Sequence, residues 1–185
     1  TAPTGNGTQT FALATGTDAA GNVITATPTS GATITVDNIA PTISSVSPAI
    51  GSFVNHTQVS YTLSEAIASG TITWTRTSGT ADGTVHTQSL TGSELATGAH
   101  SNITLTNNPT LVDGAIYTVA FDATDAAGNV ATQVSSTSVT YDTTAPTASL
   151  AYSVGGSAVT AVKQGDAVTI VATFDEDIAD SPVMQ

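Results

Sequence analysis

The chain has no cysteine, and only two basic residues, Arg76 and Lys163, against 14 Asp and Glu. Without cysteine it has neither disulfides nor thiolate metal sites. A β-protein in an oxidising compartment must then gain rigidity by another route, and a hard cation held by oxygen is one. A formal net charge of −12 repels phosphate backbones and anionic headgroups, which excludes nucleic acid and makes membrane surfaces poor partners. No apolar run approaches the roughly 20 residues of a membrane-spanning helix, so direct membrane insertion is not expected. Leader and lipidation motifs are also missing between Thr1 and Gln185, and the segment reads as an internal or processed part of a longer chain. No nucleophile elbow, phosphate loop or paired-carboxylate cleft is visible, and His56, His86 and His100 stand at no meaningful spacing from an acid or serine. An enzyme is not expected.

Threonine is abundant, with 37 of 185 residues. Together with Val and Ile it favours pleated, half-buried strands over helices. The chain also repeats itself. Thr17-Asp18-Ala19-Ala20-Gly21-Asn22-Val23 returns as Thr124-Asp125-Ala126-Ala127-Gly128-Asn129-Val130, 107 residues later. Val36-Asp37-Asn38-Ile39-Ala40-Pro41-Thr42 returns as Tyr141-Asp142-Thr143-Thr144-Ala145-Pro146-Thr147, 105 residues later. Self-similarity at a long fixed period marks an array of modules.

The Ala-Pro dipeptides mark module starts, because proline cannot continue a central strand. Residues 1–38 are then the C-terminal part of one module, 39–143 a complete module, and 144–185 the N-terminal part of a third. Only the middle one is long enough to close a core by itself. Its period-two alternation predicts strands near 42–47, 58–63, 71–77, 85–90, 103–106, 115–123 and 130–141. Between the fourth and fifth, residues 92–98 suggest a single helical turn. Val59, Tyr61, Leu63, Ile72 and Trp74 should point inward, and Tyr117 should open the sixth strand as a tyrosine corner. About seven short strands with one Trp on the third give an all-β fold of tandem, antiparallel immunoglobulin-like β-sandwiches. Tyr117, Val119 and Phe121 are in phase with Asp125, whereas Phe11 and Leu13 are out of phase with Asp18. A bulge or a different first module would each account for that.

In such a sandwich the loops after the second and sixth strands lie at the pole where the chain enters. Glu65 and the turn from Asp125 to Asn129 therefore meet Asp37 of the incoming linker. At the exit pole Asp113 meets Asp142, joined by Asp175, Glu176 and Asp177 of the next module. Carboxylates clustered without basic partners repel, and calcium, which accepts six to eight oxygens from carboxylates, Asn amides and backbone carbonyls, is the expected cofactor, with Asn129 among the candidate ligands beside the acids. Zinc is not expected, since it prefers nitrogen or sulfur and the histidines form no motif. Against this stands a plain turn: Asp-Ala-Ala-Gly-Asn also suits a tight hairpin. Asp122 is a secondary candidate ligand, and Asp82, Glu94 and Asp166 read as surface turn residues. The sequons at Asn6, Asn55 and Asn102 are expected by chance in so Thr-rich a chain.

On the two Asp-Ala-Ala-Gly-Asn turns, the Asp-x-x-Ala-Pro linkers, and the Glu65-Ala66-Ile67 and Glu176-Asp177-Ile178 loops, the chain resembles bacterial immunoglobulin-like repeats of giant surface adhesins, including the extender regions of RTX-type adhesins. The resemblance implies an extracellular, cell-surface stalk whose joints are stiffened by calcium, with linker and loop acids falling on Asp37, Glu65, Asp125 and Asp142. Glu176 and Asp177 match less closely, because Asp175 makes that loop more acidic than its counterpart. Partners would be neighbouring modules of the same or adjacent chains, and a distal host or surface ligand is not encoded here. Two alternatives remain: a filament subunit whose partial modules are completed by strand addition from other chains, and a glycan- or ice-binding module using the outward ladder Thr71, Thr73, Thr75 and Thr77.

Overall fold

The computed structural model describes residues 5–179, so the ends of both flanking pieces lie outside the described residues. The chain divides into two compact units, Thr1–Asp142 and Thr143–Gln185.

The first unit opens with an antiparallel pair, β1 (Gly7–Thr10) and β2 (Thr33–Val36). Beyond Thr10 the two arms are joined by scattered bonds, Phe11 N–H to Ala32 O and Leu13 N–H to Ala26 O, instead of a regular ladder. The strict alternation is lost there, which is why Phe11 and Leu13 are out of phase with Asp18. Both are exposed.

The rest of the unit is a sandwich. Strands β3 (Ile43–Ser47), β4 (Phe53–Val54), β5 (Val59–Leu63), β6 (Ser69–Gly79), β7 (His86–Ser89), β8 (Gly98–Ile103), β9 (Ala115–Thr124) and β10 (Val134–Tyr141) form two sheets. Their orders are β3-β5-β8 and β4-β10-β9-β6-β7. Pairing is antiparallel except for the short β4, which runs parallel to β10. A one-turn 3₁₀ helix, η1 (Gly92–Leu95), follows β7.

The core lies where the inward residues of the two sheets meet. Val59, Tyr61 and Leu63 alternate with half-buried neighbours on β5, as do Ala115, Tyr117, Val119, Phe121 and Ala123 on β9. Trp74 is fully buried and sits edge-on to Tyr117 at 5.9 Å. That offset geometry suits the ring quadrupoles and adds about 1 kcal/mol to burial. The tyrosine corner is present: Tyr117 Oη accepts the Val112 N–H at 3.0 Å.

Two strand readings need correction. The fifth long strand is β8, which ends at Ile103 instead of beginning there. Its residues, Gly-Ala-His-Ser-Asn-Ile, show no apolar alternation, so the strand is invisible to periodicity. It is held by pairing with β5 and by His100 stacking on Tyr61 at 4.6 Å. Leu105 reaches the core from the following loop. The last strand starts at Val134, four residues late, because 130–133 pair only through the isolated bridge Thr124–Val130.

The second unit pairs β11 (Ala148–Val154) with β13 (Val168–Phe174) in register from Ala148–Phe174 to Val154–Val168, with β12 (Ser157–Ala158) alongside β11. Leu150, Tyr152, Ile170 and Val171 remain exposed on it. No described helix is long and apolar enough to cross a membrane.

Candidate functional site

Asp125 begins a tight turn after β9. Its Oδ1 accepts the N–H groups of Ala127 at 2.9 Å and Asn129 at 2.8 Å, and its Oδ2 accepts the Asn129 side-chain amide at 2.8 Å. The backbone closes beneath it, with Gly128 N–H donating to Asp125 O and Gly128 at φ 93°, a conformation glycine adopts without cost. These donors, the Asn129 side chain first, hold the Asp125 carboxyl below the usual range against the opposing pull of burial. The earlier copy folds in the same way: Ala20 and Asn22 N–H reach Asp18 Oδ1 at 2.8 and 2.9 Å, and Asn22 Nδ2 reaches Oδ2 at 2.8 Å. The turn is therefore a local property of Asp-Ala-Ala-Gly-Asn, and its shape alone implies no ligand.

The two copies differ in their surroundings. Asp18 is exposed, whereas Asp125 is 3% exposed. Asp37 and Glu65 each place a carboxylate oxygen near that of Asp125, all three within 4.8 Å of one another. These acids arrive from three separate stretches, the linker before β3, the loop after β5 and the turn after β9. Asp37 is fixed by Ile39 N–H, which donates to its Oδ1 at 3.0 Å, and by Asn129 Nδ2, which donates to its backbone carbonyl at 3.1 Å. Around Glu65, Ser64 N–H donates to Thr42 O, Ile67 N–H to Leu95 O and Ala68 N–H to Thr124 O. The loop carrying Glu65 is thus tied to the start of β3, to η1 and to the strand end beside Asp125.

Among the described residues of the first unit the one Lys or Arg is Arg76. Arg76 lies seven residues along β6 from Ser69, about 23 Å at ~3.3 Å per residue. Its guanidinium is engaged with Gly79 O and Thr80 O. Three carboxylates held this close by backbone geometry offer the hard oxygen donors that calcium or magnesium prefers.

The backbone segments that carry Asp113 and Asp142 adjoin at the opposite end of the sandwich, where Gly114 N–H donates to Tyr141 O. Asn6, which stands 107 residues before Asp113, accepts the Asn38 N–H through its Oδ1 at 2.7 Å. In that copy the position caps the linker backbone. Asp175, Glu176 and Asp177 belong to the second unit. There Asp175 accepts the N–H and hydroxyl of Thr147 at 2.8 and 2.6 Å. Ser64 has the same place in the first unit, accepting Thr42 N–H at 2.9 Å. Asp175 is a strand clasp, and its carboxyl is held low chiefly by the Thr147 hydroxyl. Asp122 is engaged by the Gln133 amide at 2.9 Å.

Two acids read as surface turn residues are internal. Glu94 is 7% exposed; its carboxylate accepts N–H and hydroxyl from both Thr91 and Thr106, with Thr106 N–H at 2.6 Å. Burial pushes its carboxyl up, but these donors outweigh burial and hold it below the usual range. Asp82 accepts Tyr117 Oη at 2.7 Å and Thr84 N–H at 3.0 Å, and pairs with His86 at 2.8 Å. His86 does therefore have an acidic partner, four residues before it. The capping box Thr91-x-x-Glu94 was the available signal for Glu94. Nothing local signalled that Asp82 would meet Tyr117, 35 residues away.

No curated protein and no solved structure matches the chain. A family profile does match, over residues 37–141, a span that begins at the linker acid of the trio and ends with β10. The chain accordingly belongs to the bacterial Ig-like domain family Big_5.

Proposed function

We propose that the chain is a non-enzymatic spacer from a bacterial surface protein, of the adhesin-stalk kind, in which calcium bound by Asp37, Glu65 and Asp125 stiffens the joint between successive modules. The observation that carries this reading is the meeting of a linker acid with two loop acids of the module that follows, all within 4.8 Å. A cation there would link the path of the chain between modules to the body of one of them. In the sequence, Asp142 and Glu176 repeat the positions that Asp37 and Glu65 have in the preceding copy. Family membership fits a structural role at a cell surface.

Small-angle X-ray scattering of the 185-residue chain in EDTA and in calcium tests the stiffening. The reading expects a narrower distribution of end-to-end distances in calcium, unchanged by magnesium. Superimposable profiles in EDTA and calcium contradict it.

A further inference from the structure

We propose that Asn129 is a positioning residue that latches the incoming linker to the module without any cation. Its side-chain amide carries two hydrogens and uses them on two different stretches of chain. One goes to Asp125 Oδ2 at 2.8 Å within its own turn, the other to the backbone carbonyl of Asp37 at 3.1 Å, 92 residues away. Asn22 in the earlier copy makes the first of these bonds to Asp18 at 2.8 Å. The bond to the linker is what the joint adds.

The orientation of the amide follows from its surroundings. Both atoms it faces are acceptors, a carboxylate oxygen and a carbonyl oxygen. Rotating the amide would place Oδ1 against those two oxygens and leave them without that donor. Asn129 Nδ2 is thus a donor to both stretches at this joint. The linker is caught on its other side as well, by Asn38 N–H donating to Asn6 Oδ1 at 2.7 Å. Asp37 is held next to Asp125 by neutral groups, which take no part in the repulsion among the acids. The functional consequence, a site already assembled when calcium arrives and so bound at a lower ordering cost, rests on the calcium reading above. The latch itself does not.

The test is ¹⁵N relaxation of the full chain in EDTA, comparing wild type with Asn129→Ala and Asn129→Asp. In wild type, the amides of Asp37, Asn38 and Ile39 should show order parameters near the rigid value of about 0.85. Both variants should drop toward about 0.6 or below at those three amides, while Val119 and Val139 in the core stay unchanged and report an intact sandwich. A mobile wild-type linker, or variants as rigid as wild type, overturns the proposal. So does loss of order in Asn129→Asp alone, which would trace the effect to added charge. A calcium titration supplies the second arm. If Asn129 latches the linker, Asn129→Asp binds about fivefold or more weakly, the loss expected from roughly one net hydrogen bond; tighter binding would mark the position as a ligand and overturn the latch. A wild type that binds no calcium refutes the calcium reading alone, and the EDTA measurement still decides the latch.

Discussion

Asn22 and Asn129, 107 residues apart, each donate their side-chain amide at 2.8 Å to the aspartate four positions before them. The turn is the same in both copies, and the carboxylates around it are not. Asp18→Ala and Asp125→Ala should therefore both remove a turn acceptor, but only Asp125→Ala should affect a cation. By calorimetric titration with calcium we expect Asp125→Ala to bind at least about tenfold more weakly, through loss of a charged ligand. Asp18→Ala should bind like wild type. Equal effects of the two substitutions would reduce Asp125 to a turn former.

Acid should loosen the opposite end of the sandwich through Asp82. The Tyr117 hydroxyl, then His86 and the Thr84 N–H, hold its carboxyl down at about 2, from an ordinary value of 3.8. A group whose pKa is lower in the folded state stabilises the fold above its unfolded value and loses that contribution as pH falls through the folded one. The window is therefore from about 4 down to about 2. Urea unfolding at closely spaced pH values should show stability falling across it, with a shallower fall in Asp82→Asn. Parallel curves would contradict this role.

Glu94 joins Thr91 to Thr106, and its backbone carbonyl accepts the buried Tyr61 hydroxyl at 2.8 Å. Glu94→Gln keeps the shape but turns an NH₂ group toward donors. The expected cost is about 1–3 kcal/mol, that of leaving buried donors unpaired, read from urea midpoints at constant m-value. A change within about 0.5 kcal/mol, as for an ordinary surface substitution, would show that the site relaxes.

Gly79 and Gly51 share a φ of 71°, yet a Cβ on Gly79 would lie 2.3 Å from Gly114 O while one on Gly51 meets nothing within 4 Å. Gly51→Ala should cost about 1–2 kcal/mol for the left-handed backbone alone. Gly79→Ala should cost clearly more, because backbone must move at the tyrosine corner. Equal costs in thermal melts would show that this end of β6 yields freely.

The fold was legible where inward and outward residues alternate. Ala115 to Thr124 reads perfectly as a strand with one buried face, and so do Val59 to Leu63 and the Trp74 strand. The strand from Gly98 to Ile103 was hidden, because its hold on the sheet comes from its partner β5 and from His100 on Tyr61, not from its own apolar pattern. The entry-pole acids could be gathered from topology alone, since Asp37, Glu65 and Asp125 sit at strand ends whose order the sandwich fixes. What topology could not supply was the direction of each polar group. Asn129 carries an oxygen and a nitrogen, and only the structure shows that nitrogen faces Asp37. Asp82 and Glu94 sit in segments that look like surface turns, and their burial depends on Tyr117 and Thr106, residues remote in sequence.

Thermal unfolding of the chain in EDTA, then in calcium and in magnesium, decides whether the acid trio binds calcium. A cation bound only to the folded state stabilises it by about 2.7 kcal/mol at a hundredfold excess over Kd, roughly 10 °C for a module of about 100 residues. Calcium held by the trio should give that rise, magnesium little of it, and Asp125→Ala should abolish it. The same melting temperature in EDTA and calcium would contradict calcium binding, and would leave Asp37, Glu65 and Asp125 as acids brought together by the fold alone.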